Sequence, residues 1–241
     1  MEKKILISFI INIITIILAF TSLTPEIIKS LNKNNVYQSF FGFFRFFTND
    51  GNIYSTIVSC ILLSYQITVL FFNLNSNILK NNYIYLLCLG SSVSEIIILL
   101  VVLFLLLPHF GLLIITPYEM INLHLLIPIL ITFRFIFLDK KQNNISILKS
   151  LYGTIPISIY GFIIFFLVVF KVFTKENNKI PYPFFEIYTN PWYFSFLSIG
   201  GIVSATFGLC VLLNYLNEKL KDKLFGNEVI RLISDDTDDI L

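Results

Sequence analysis

Charge is scarce in this sequence. Asp, Glu, Lys and Arg together make up 13% of its 241 residues, about half the share a water-soluble domain carries to wet its surface. A soluble fold is therefore close to excluded. The formal net charge of +2 is small and scattered, too little to argue a nucleic-acid surface. Cysteine is nearly missing: Cys60, Cys88 and Cys210 lie far apart inside apolar runs and give neither a disulfide framework nor a zinc spacing. His109 and His124 are the only histidines, and neither has a spaced partner ligand, so no metal site is expected. There is no Gly-rich phosphate loop and no GxSxG elbow, which disfavours nucleotide chemistry and a soluble-hydrolase fold. No cofactor is expected. No inverted repeat is visible, a mild argument against a transporter.

What is present is apolar. Hydrophobic residues make up 56% of the chain, with 26 Phe, and the mean hydropathy is +0.81. A bilayer-crossing helix needs about 20 mostly apolar residues. Windows of that size fall at about residues 5–23, 53–72, 83–107, 120–138, 155–173 and 193–216. Backbone groups in lipid must bond within their own segment, so these runs predict helices. They are too long and too continuous for barrel strands. The fold expected is all-α: a polytopic membrane protein whose single domain is a bundle of six transmembrane helices. A short amphipathic tail with an acidic end occupies residues 217–241, read as a solvated terminus with an interfacial helix. The first run has a charged start, but its apolar stretch is longer than a signal peptide's and no clean cleavage site follows. It reads as a span.

Loop charge predicts the orientation. With the N-terminus in the cytoplasm, the inside segments hold Lys3, Lys4, Lys80, Lys140, Lys141, Lys149, Lys219, Lys221, Lys223 and Arg231. The outside segments hold Lys29, Lys33, Arg45, Lys171, Lys175 and Lys179. The excess favours both termini in the cytoplasm. Even-numbered helices then all begin on the external face.

In such a chain the informative residues are polar ones at depth, since an ionisable group near the bilayer centre costs roughly 2.5–3.5 kcal/mol on insertion scales. The candidates are Thr48, Asn49, Asp50 and Asn52 at the mouth of the second helix, Glu95 in the third, Asn122, His124 and Arg134 in the fourth, and Glu186 before the sixth. Thr48, His124 and Glu186 gather at one membrane face by parity. At about 1.5 Å per residue, Glu95 lies about 18 Å and His124 about 21 Å from the inner ends of their helices, so the two could meet. Arg134 sits about one turn from its inner end and is expected to snorkel to the headgroups. Simpler roles stand beside these. His124 could be satisfied by a helix neighbour and Glu95 could be a hydrogen-bonding strut. Thr48 could bond its own helix. Asn49 or Asp50 could cap the helix start, and Glu186 could belong to an aromatic belt.

Three segments carry a resemblance: FFRFFTNDGN (43–52), NLHLLIPIL (122–130) and IPYPFFE (180–186). In order and spacing, along nearly the whole chain, they resemble the androgen-induced-gene-like membrane hydrolases and their bacterial relatives. In that family a Thr follows an aromatic stretch, a His precedes a Pro, and a YPF-x-acid motif leads into the sixth helix. Here these are Thr48, His124 before Pro128, and Tyr182, Pro183, Phe184 and Glu186. The resemblance implies a hydrolase of fatty-acid esters with Thr48 as nucleophile and His124 as its partner. Membrane lipids and a lipid-ester substrate would then be its partners. The chain departs from the bacterial FTxxSN pattern at Gly51, which stands where a Ser is usual. A Thr hydroxyl needs a base to take its proton, and imidazole suits that task near neutrality. Asn49 or Asn52 could serve the developing oxyanion, and Glu95 or Glu186 could orient His124. The alternative is a non-enzymatic membrane protein that binds lipid or moves protons or small molecules, with Glu95, His124 and Glu186 as its site.

Overall fold

The computed structural model describes residues 2–31, 43–44, 46–72, 81–110, 117–139, 145–172, 180, 182, 187–188 and 191–238. Every regular element among them is a helix, and six are long and apolar enough to cross a membrane. We number them α1 (Glu2–Leu31), α2 (Phe47–Phe72), α3 (residues 82–110), α4 (Tyr118–Phe137), α5 (Ile147–Val169) and α6 (Trp192–Asp238).

The six expected spans are all present, with shifted ends. Helix α1 runs through Pro25 to Leu31, and α2 begins at Phe47, well before residue 53, so Thr48 lies in its first turn. The tail is helical to Asp238 as a direct continuation of α6, not as a separate interfacial helix.

Prolines shape the local geometry. A π turn, Val102–Leu106, precedes Pro108, and a second, Asn122–Leu126, precedes Pro128. A 3-10 turn, Leu151–Thr154, precedes Pro156. Proline has no N–H for the residue four back and its ring crowds that carbonyl, so the preceding turn widens or tightens to compensate.

The bundle is built the reverse of a soluble domain. Its exposed side chains include Phe20, Phe71, Phe104, Phe170 and Leu197, while Asn12, Asn52, Ser55, Ser59, Ser91, Glu95, Arg134 and Asn217 have no exposed surface. Lipid tails accept the first set at no cost, and the second set must find partners inside. Helix α3 is central, packing on α2, α4, α5 and α6, and α1 packs on α2 and α4. Helices α1 and α4 run antiparallel in steady register: Lys29 reaches Glu119 (3.8 Å), Asn122 donates to Ser22 (2.9 Å), and Arg134 donates to Asn12. Gly51 and Gly153 permit close approaches: a Cβ at Gly51 would lie 2.7 Å from the Ile98 side chain, and one at Gly153 would lie 2.7 Å from the Cys210 sulfur and 3.0 Å from Leu89.

Candidate functional site

The site is assembled where α2 begins against the π turn of α4. In that turn the Ile127 N–H bonds to the Asn122 carbonyl, five residues back. The Leu123 carbonyl would need the N–H of residue 128, which is Pro128 and has none. Asn52 fills the vacancy. Its Nδ2 donates to the Leu123 carbonyl at 3.2 Å and to the Thr48 carbonyl at 2.8 Å. One amide thus joins the turn carrying Thr48 to the residue before His124.

Both N–H groups of Asn52 are engaged by these bonds, which leaves none for an oxyanion. What remains free is its Oδ1, which is buried without a partner. Asn49 donates to the Phe43 carbonyl at 2.8 Å. That bond ties the helix start to the preceding segment, and it leaves Asn49 a second N–H.

Thr48 is half-buried. His124 is 6% exposed and its Nδ1 has no partner. Among the described residues no hydrogen bond joins the Thr48 hydroxyl to the His124 imidazole, nor His124 to Glu95. Glu95 has no exposed surface, and neither of its oxygens has a hydrogen-bond partner. It lies against Ser55, which accepts from Ser91 at 2.9 Å.

Tyr182, from the segment before α6, reaches the same place. Its hydroxyl shares a hydrogen bond with Tyr160 of α5 and meets the Phe47 backbone, next to Thr48. Burial lifts the Tyr182 phenol above its ordinary pKa. Glu186 lies outside the described residues.

A cavity of about 600 Å³ opens beside this cluster, between α3, α5 and α6. Its wall is almost wholly apolar, including Leu100, Phe104, Phe162, Phe165, Phe196 and Ile202. Phe47, Tyr160 and Tyr182 line the end nearest Thr48; Thr48 and His124 themselves do not line it.

Arg134 departs from expectation. It has no exposed surface and does not snorkel. Its guanidinium donates to Asn12 of α1 and Ser59 of α2, and pairs with Asp139 at 3.4 Å. Burial raises the Asp139 pKa, and the Arg134 charge opposes that rise. Asn12 also donates to Gln66, which donates to Ser8. Asn217 of α6 donates to the carbonyls of Phe135 (2.6 Å), Ile136 (3.3 Å) and Asp139 (3.0 Å), which closes the end of α4.

Sequence reasoning missed Ser55, Ser59, Gln66 and Asn12. For the three on α2 the signal is their spacing: Thr48, Asn52, Ser55 and Ser59 fall three or four residues apart and Gln66 two turns further on, all on one face of α2.

Comparison of the chain with family models, with curated proteins and with solved structures finds no match. Among the described residues no group of His, Cys, Asp and Glu could hold a metal ion.

Proposed function

We propose that this protein is an intramembrane hydrolase of fatty-acid esters, with Thr48 as nucleophile and His124 as general base. One observation carries the reading: the Asn52 amide ties the Thr48 turn to the carbonyl beside His124. The sequence resemblance to the androgen-induced-gene-like hydrolases supports the same two residues.

In this reading an acyl chain lies in the apolar cavity and its ester carbonyl reaches past Phe47 to Thr48. The His124 imidazole takes the hydroxyl proton as the Thr48 oxygen attacks the carbonyl carbon. The ester C–O bond breaks, the alcohol leaves with the proton from His124, and the acyl group stays on Thr48. Water, deprotonated by His124, then attacks the acyl carbon; the bond to the Thr48 oxygen breaks, that oxygen takes the proton back from His124, and the fatty acid leaves. The second N–H of Asn49 is the side-chain donor available to the developing oxyanion. Tyr182 holds the entrance between cavity and nucleophile. Hydrogen bonds of this kind are often long before substrate binds and tighten around the transition state.

The test is release of free fatty acid from a fatty-acid ester of a hydroxy fatty acid by purified protein in nanodiscs. Wild type releases acid, and Thr48→Ala and His124→Ala fall to background with unchanged melting. Full activity in both variants overturns the assignment. A second reading, lipid binding without turnover, is favoured by the missing Thr48–His124 hydrogen bond. It predicts bound lipid and no acid release in any variant.

A further inference from the structure

Glu95 stands apart from the chemistry above. It lies within α3 with no exposed surface, and no cation is bonded to it. An ionised carboxylate without donors is costly to bury, and a protonated one needs an acceptor for its O–H. Ser55 provides for either state: Ser91 donates to it, so its own proton is free to turn toward Glu95, and its oxygen can also accept.

The surroundings are asymmetric. Toward the start of α2 the polar face continues through Asn52, whose Oδ1 is unpartnered, to half-buried Thr48. On α4 the same level carries His124, with Nδ1 unpartnered. Buried polar atoms left open in this way are where internal water binds. Toward the other end the face reaches Ser59 and meets the Arg134 guanidinium. A guanidinium held there by Asn12, Ser59 and Asp139 fills that end and opposes entry of a further cation. The titratable and charged groups on the elements packed around Glu95 include Asp50, Tyr54, Cys60 and Tyr65 of α2, Tyr83, Tyr85 and Cys88 of α3, Tyr118, Glu119, His124 and Arg134 of α4 with Asp139 beyond it, Lys149, Tyr152 and Tyr160 of α5, and Tyr193, Cys210, Tyr215, Glu218 and Lys219 of α6. Tyr54 is engaged with the Leu87 carbonyl and Arg134 with Asp139. None of these groups bonds to Glu95.

We propose that Glu95 is a proton-binding site with access from one membrane face only. Protons reach it along Thr48, Asn52 and Ser55 from the face where α2 begins, and Arg134 closes the route from the opposite face. The site makes a carboxyl inside the bilayer responsive to the pH of a single compartment. It does not depend on Thr48 being a nucleophile.

The experiment is labelling by dicyclohexylcarbodiimide, which adds to a carboxyl only in its protonated form. Full-length protein is placed in sealed vesicles of both orientations with a buffered interior, and the Glu95 peptide is quantified by mass spectrometry as the bathing pH is stepped. Labelling is expected to fall with rising pH, approaching about tenfold per pH unit once the carboxyl is mostly ionised, in one orientation and to stay constant in the other. Glu95→Gln removes the label, and Ser55→Ala, which leaves the carboxyl in place, slows the response. Labelling that responds in both orientations, that responds in neither, or that is absent from folded protein overturns the proposal.

Discussion

Asn52 gives the Leu123 carbonyl the hydrogen bond that its own helix cannot, because the residue five positions on is Pro128. The bond bridges α2 and α4, and its other half holds the Thr48 carbonyl. A proline in one helix and an asparagine in another thereby set the distance between the two residues on which the proposed chemistry rests.

In the proposed reaction Asn52 is a positioning residue, so its replacement has a defined signature. Asn52→Ala leaves the buried Leu123 carbonyl unsatisfied and is expected to cost about 1–3 kcal/mol of stability. Asn52→Asp places a carboxylate against two carbonyls and is expected to be worse. In hydrolysis assays Asn52→Ala lowers kcat more than it raises KM. Thermal unfolding in detergent and steady-state kinetics check both.

The Arg134–Asp139 pair predicts an asymmetry. Removing Arg134 strands a buried carboxylate, so Arg134→Ala is expected to cost about 3–5 kcal/mol, and Asp139→Asn in the same chain recovers part of it. The pH dependence follows from the raised Asp139 pKa. The stabilisation that this shift contributes is fully present below the unfolded value and is lost as pH rises through the folded one. Wild type therefore loses melting temperature relative to Asp139→Asn as pH rises above the ordinary carboxylate range, and Arg134→Ala, which removes the opposing charge, loses it over a wider range. Melting curves of the three proteins across pH decide this.

The cavity predicts chain-length selectivity. A Cβ added at Gly161 meets nothing within 4 Å, and Gly161 lines the cavity. Gly161→Phe is expected to fold normally and to shift preference toward shorter acyl chains by about tenfold or more in kcat/KM. Competition between esters of different chain length measures the shift; an unchanged ratio places the acyl chain elsewhere.

Tyr182→Phe removes the hydroxyl that meets Tyr160 and the Phe47 backbone. The ring stays, so the expected effect is modest: about 0.5–1.5 kcal/mol of stability and a raised KM. Kinetics with one long-chain ester, alongside melting, separate the two effects.

The six crossings are legible in the sequence because lipid demands long uninterrupted apolar runs, and little else produces them. The start of α2 is less legible: the aromatic run before Thr48 is apolar enough to be loop, interface or helix, and packing decides among them. Arg134 misleads because sequence shows its nearness to a helix end and hides its partners, which come from α1, α2 and the chain beyond α4. The Asn52–Leu123 bond has a local cause that can be read, since Pro128 removes a donor. Which helix supplies the replacement is tertiary and cannot be read. The polar face of α2 is visible in the spacing, yet each Ser or Thr alone is uninformative in a membrane helix.

The central claim is that the Thr48 hydroxyl is a nucleophile. The most direct measurement is the site of attachment of a fluorophosphonate probe on the purified protein, mapped by peptide mass spectrometry. The account predicts the adduct on Thr48, lost in Thr48→Ala and strongly slowed in His124→Ala. An adduct on another residue, or labelling of Thr48 that proceeds at the same rate without His124, contradicts it.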